Sequence, residues 1–158
     1  ALLKPIAFLQ WFVSQSFSLN PDTELPFFPH FANSENVSEF ECVFDFENSL
    51  WRYILKCTPK KVVHEALYKK EERFGYVFIR DWDVDAKKYV IKLKEFGLSN
   101  QEAKKVRANV SLIAWAAQYD VPLAKAFTSG NIMTNINVIG RDSMTGAELN
   151  SAAKYFFE

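Results

Sequence analysis

The sequence predicts an α+β fold, an antiparallel β-meander packed against a buried N-terminal helix and a second helix near residues 100–119. Three observations predict it. Apolar residues recur at helical spacing over residues 2–17, apolar and polar residues alternate from about residue 39 to residue 80, and helical spacing returns after Ser99. At 158 residues the chain suits one domain, 1–158, with enough length to bury roughly two thirds of its unfolded surface. A hydrophobic share of 49%, with 15 Phe, 6 Tyr and 4 Trp, supplies a core that a disordered chain lacks.

Leu2, Ile6, Leu9, Val13 and Phe17 set the stripe of the first helix, and Phe8, Trp11 and Phe12 widen it until little polar surface remains. A helix of this kind is expected to be buried. Pro5 fits its opening turn, where no backbone donor is lost. Residues 20–38 have three prolines and no period, and read as a long flap-like connection anchored by Phe27, Phe28 and Phe31. Phe40, Cys42, Phe44 and Phe46 then alternate with polar residues up to Glu47 and Asn48, and Trp51, Tyr53, Leu55 and Cys57 resume the alternation, which makes a hairpin. Turns at Pro59–Lys61 and Lys70–Arg73 add Val62–Lys69 and Phe74–Arg80, giving about four strands with one solvated face. Cys42 and Cys57 share the aromatic phase and are expected as two buried thiols. Ser99 and Glu102 have capping-box spacing, and Ala103, Val106, Val110, Ile113 and Ala117 carry a second helix to about Tyr119. Pro122 opens a short helix through Phe127, Gly130 closes it, and Ile132–Ile139 reads as mixed or extended.

Composition excludes several function classes. Nineteen basic and nineteen acidic residues give a net charge of zero, so no overall field draws the chain to nucleic acid or an anionic membrane. The apolar opening run lacks a basic leader and a cleavage pattern, and it fades short of the roughly 20 residues of a membrane span. Two cysteines are too few for a zinc knuckle or a disulfide scaffold, and reduced thiols suit a cytoplasmic setting.

The chemistry-bearing motifs are few. Asp81, Asp83 and Asp85 alternate like the first ligands of a calcium loop, but Ala86 stands where the loop needs glycine and Lys92 where it needs a closing glutamate. A solvated strand-to-helix turn is the expected reading. His30 and His64 lack cysteine or serine neighbours that would build a metal site or a triad. The lysine clusters interleave with Glu65, Glu71, Glu72, Glu95 and Glu102 and read as solvated faces. The sequons at Asn36 and Asn109 read as chance. No glycine precedes a lysine, so a phosphate-cradling loop is missing, and Leu98-Ser99-Asn100-Gln101 lacks the glycines of an ABC signature.

Against this background, Leu2-Leu3-Lys4 to Phe8-Leu9 resembles the helix that follows the phosphate-binding loop in AAA-family ATPases with an ABC-like head, a group found in abortive-infection and other anti-phage systems. Pro5 stands where that family usually has alanine. Ser38 to Phe44 is similar to the family's first Phe-rich strand, Trp51-Arg52-Tyr53 to its next, and Val63 to Tyr68 to its Glu-x-Leu strand. The most specific match is Val106-Arg107-Ala108-Asn109-Val110-Ser111-Leu112 running into Ala116-Ala117-Gln118-Tyr119. The resemblance spans roughly residues 1–140.

It implies lobe I of an ABC-like head, with this chain an internal piece lying just after the loop. The parent would bind ATP and Mg²⁺, hydrolyse ATP as a homodimer and gate an effector nuclease or other defence protein. Gln118 would be the one catalytic residue here, reaching Mg²⁺ and the attacking water, while the chain alone binds neither cofactor and is inactive. Two other readings stand beside this one. The first is a stand-alone protein-interaction module docking a partner through Phe27, Phe28 and Phe31. The second is a nucleic-acid-binding sheet on which Arg52, Lys56, Arg73 and Arg80 interleave with aromatics.

Overall fold

The computed structural model describes residues 3–26 and 37–129. His30, the Phe27/Phe28/Phe31 anchors, the Asn36 sequon, and everything expected of residues 130–158 lie outside the described residues. The chain is α+β. Helix α1 (Leu3–Gln15) runs into a 3-10 turn at Ser16–Ser18. Five strands follow, β1 (Ser38–Phe46), β2 (Ser49–Cys57), β3 (Val62–Lys70), β4 (Phe74–Asp83) and β5 (Lys88–Leu93), and then three short helices, α2 (Asn100–Ala103), α3 (Leu112–Gln118) and α4 (Pro122–Ser129). Among the described residues, no helix is long and apolar enough to cross a membrane.

The strands form one antiparallel sheet in sequence order. The β1–β2 hairpin closes on two residues, since Phe46 pairs with Ser49 while Glu47 and Asn48 adopt φ of 49° and 56°. Two successive positive φ values make the turn whose twist matches its strands, and asparagine tolerates that conformation well. Along the sheet, Cys42, Tyr53, Leu67, Phe78 and Leu93 are register partners on one face, and this face meets the helices. The opposite face is solvated as expected, and it carries the Arg52–Glu41 (2.8 Å), Lys56–Glu39 (3.0 Å) and His64–Asp81 (2.6 Å) pairs.

Four expectations need correction. The sheet has a fifth strand, because Tyr89, Ile91 and Leu93 alternate inward opposite Trp82, Arg80 and Phe78. Asp81 and Asp83 therefore belong to β4, and the chain then makes a strand-to-strand turn through Asp85, in which Asp83 Oδ1 accepts the Ala86 N–H at 2.9 Å. Helix α1 is buried on one face only: Phe8 and Phe12 enter the core, whereas Ile6 is 40% exposed. Cys57 is buried, but Cys42 is only half-buried.

The fourth correction concerns residues 100–119, which form two helices instead of one. Ser99 caps α2 as its spacing requires, with its Oγ accepting the Glu102 N–H at 3.2 Å. The helix then stops at Ala103, and Ser111 caps a new one by accepting the Ile113 N–H. Between them Val106 and Val110 still point inward, so the helical spacing marked burial correctly and conformation wrongly. The polar partners of residues 107–111 explain the break.

Candidate functional site

Glu65 on β3 and Arg80 on β4 are register partners in the middle of the inner face, and both are fully buried. Two charges taken out of water are tolerated only where further bonds satisfy them. Here the carboxylate of Glu65 accepts from the Tyr53 hydroxyl (2.9 Å), the Ser111 hydroxyl (2.8 Å), the Leu112 N–H (3.0 Å) and Arg80 (3.3 Å). The guanidinium of Arg80 also donates to the Val110 carbonyl (2.7 Å) and the Arg107 carbonyl (2.8 Å), and it lies 4.0 Å from the centre of the Tyr89 ring. The Val110 carbonyl is thereby taken by a side chain, and the Arg107 carbonyl is shared between Arg80 and the Val110 N–H (3.2 Å). A continuous helix would have given both to the N–H groups four residues on.

The run from Val106 to Leu112 is a strap between the sheet and the segment that follows α1. Arg107 donates to the carbonyls of Phe17 and Leu19, and the Asn109 amide donates to those of Asn20 (2.8 Å) and Thr23 (2.9 Å). The Ser111 N–H reaches the Ser16 hydroxyl at 3.0 Å, and the Ala108 carbonyl accepts from the Val62 N–H at 2.8 Å. Asn109 is almost wholly buried, so its sequon is closed to a glycan in the folded chain.

Gln118 ends α3 on the surface, at the last of the seven residues of a helix that starts at Leu112. Beside it Tyr119 is 46% exposed and stands in an aromatic row with Trp115 and Phe17, with centroids 5.6 and 5.4 Å apart. Asp120, at φ 61°, turns the chain into α4. No group of three or more His, Cys, Asp or Glu gathers to hold a metal among the described residues. One neutral amide does not hold a magnesium nucleotide, so the described residues supply part of such a site at most. No protein-family model matches this chain, and neither does any curated protein or solved structure.

Sequence reasoning missed Glu65 and Arg80 as partners. Read from sequence alone, Glu65 belongs to a solvated face and Arg80 to a surface with Arg52, Lys56 and Arg73. In the fold Arg80 lies inside, while Arg52 and Lys56 occupy the opposite face and are paired with Glu41 and Glu39, so these four do not share one surface. The signal was available: Glu65 is in phase with Leu67, and Arg80 with Phe78.

A second feature is an apolar groove of about 370 Å³ between α1, the β1–β2 hairpin and α4. Ile6, Leu9 and Val13, the stripe expected to face the core, line it together with Cys42, Phe44 and Phe127. The two thiols consequently differ. Burial raises the pKa of Cys42, whereas deeper burial together with the nearby Glu65 charge pushes Cys57 up to about 12. Thiolate is the reactive form, so iodoacetamide at pH 8 is expected to modify Cys42 in the folded chain at least about tenfold faster than Cys57. Equal rates, read by peptide mass, would refute that difference.

Proposed function

We propose that this chain is the part of an ABC-like ATPase head, of the AAA-family anti-phage type, that follows the phosphate-binding loop and supports the nucleotide site. The observation that carries the reading is the strap. The Arg107-x-Asn109-x-Ser111-Leu112 run that gives the most specific resemblance is also where the buried polar bonds converge, and it grips the 3-10 turn into which α1 runs, α1 being the helix that by resemblance follows the loop. The parent protein would hydrolyse ATP as a cytoplasmic homodimer and gate an effector such as a nuclease. Bound Mg²⁺ would neutralise charge developing on the phosphates. Gln118, exposed at the end of α3, would orient the attacking water through its side-chain carbonyl.

The test uses the protein expressed from its native gene. A Gly-Lys-Ser or Gly-Lys-Thr loop is expected just upstream of Ala1, with Mg²⁺-dependent ATP turnover that falls on the order of 100-fold in Gln118→Ala, the scale for losing one preorganised group at a reacting centre. Unchanged turnover in that variant would remove Gln118 from the mechanism. The apolar groove favours a second reading, a protein-interaction module without catalytic activity. A native product that contains no loop and binds no nucleotide would select it.

A further inference from the structure

We infer that Glu65 is a positioning residue for Gln118, acting through α3, and that Arg107 and Asn109 tie the same position to the segment that follows α1. The inference rests on the ATPase reading for its catalytic part, while the mechanical part rests on bonds within the chain.

Helix α3 has seven residues, about two turns, and a helix so short does not hold its own shape in water. Its direction is therefore set by what grips it. At its first turn the Glu65 carboxylate accepts the Leu112 N–H and the Ser111 hydroxyl, placing a negative charge where the helix end is positive. Glu65 is itself fixed from the sheet by Tyr53 and Arg80. Gln118 leaves the same helix at its far end, so a tilt at Leu112 is carried to the amide.

The strap that begins α3 also holds the segment after α1. Arg107, Asn109 and Ser111 bond Phe17, Leu19, Asn20, Thr23 and Ser16, which lie 86 to 95 residues away in sequence. The segment after α1 and the start of α3 thus share one strap, and Glu65, Arg80 and the Val62 N–H fix that strap to the sheet. Loosening the strap is expected to loosen both of its attachments, and with the second the position of Gln118.

Two measurements test this. In the product of the native gene, Arg107→Ala is expected to speed amide hydrogen exchange at least about tenfold in both residues 16–23 and α3 while leaving β2 and β3 protected. In the native gene product, Glu65→Gln is expected to lower kcat about 10- to 100-fold with KM for ATP little changed, the scale of a misplaced catalytic group. Glu65→Gln combined with Gln118→Ala is expected to be no slower than Gln118→Ala alone, because the first acts through the second. A general loss of structure would instead multiply the two losses. Ser111→Ala, which removes the cap of α3 and one bond to Glu65 and keeps the ion pair, serves the same cycle if Glu65→Gln fails to fold. Loosening confined to residues 16–23, or multiplied losses, would overturn the inference with the ATPase reading intact. Coupled loosening in a native product without any ATP turnover would overturn the ATPase reading and the catalytic role of Glu65 with it.

Discussion

Glu65→Ala is expected to lower the melting temperature by roughly 10 °C, followed by circular dichroism. The substitution leaves the Arg80 guanidinium fully buried without its carboxylate and strips the Tyr53 hydroxyl, the Ser111 hydroxyl and the Leu112 N–H of their acceptor. Removing one partner of a buried pair costs about 3–5 kcal/mol, and each kcal/mol moves the midpoint of a domain this size by about 2–4 °C. Glu41→Ala is the control. It breaks the Arg52 pair on the solvated face, where both side chains are more than a third exposed, and exposed pairs are worth about 0–1 kcal/mol. Replacing Glu65 and Arg80 together by apolar residues is expected to stay destabilising, because the Val110 carbonyl would lose Arg80 as donor and the buried Tyr53 and Ser111 hydroxyls and Leu112 N–H would lose Glu65 as acceptor. Equal effects of Glu65→Ala and Glu41→Ala would contradict the network.

Phe12→Ala is expected to cost about 3–5 kcal/mol and Ile6→Ala less than about 1 kcal/mol. Phe12 is wholly buried and stacks on Phe8 at 5.9 Å, and Phe8 in turn meets Phe40 of β1 at 4.9 Å. Ile6 is on the same helix but lines the groove. Periodicity alone ranks these two the other way, since Ile6 sits on the stripe and Phe12 beside it. Urea unfolding of the two variants decides which face of α1 carries the core, and a larger loss for Ile6→Ala would show that the groove is filled in the folded chain.

The features legible in the sequence are those with local causes. The β1–β2 hairpin follows from alternation and a two-residue turn, the start of α2 from a serine cap, and α4 from Pro122. Strand β5 was hidden because Lys88 and Lys92 sit on its outward phase and the aspartates before it resemble a helix start. Those lysines suit a strand whose edge meets water. The break between α2 and α3 has one local mark, the Ser111 cap, and its main cause is not local. It arises because Arg80, 27 to 30 residues upstream, takes the carbonyls of Arg107 and Val110, and because Arg107 and Asn109 reach partners 86 to 90 residues away. Glu65 was misplaced for a related reason: composition assigns glutamate to the surface, and only its strand phase and the partners around it show otherwise.

The measurement that bears most directly on the account is Mg²⁺-dependent ATP turnover by the product of the native gene, beside its Gln118→Ala variant. Turnover that needs Mg²⁺ and falls on the order of 100-fold in the variant is the expected result. A native product that neither binds nor hydrolyses ATP would contradict the account, and would leave the Glu65–Arg80 network as the scaffold of a binding module.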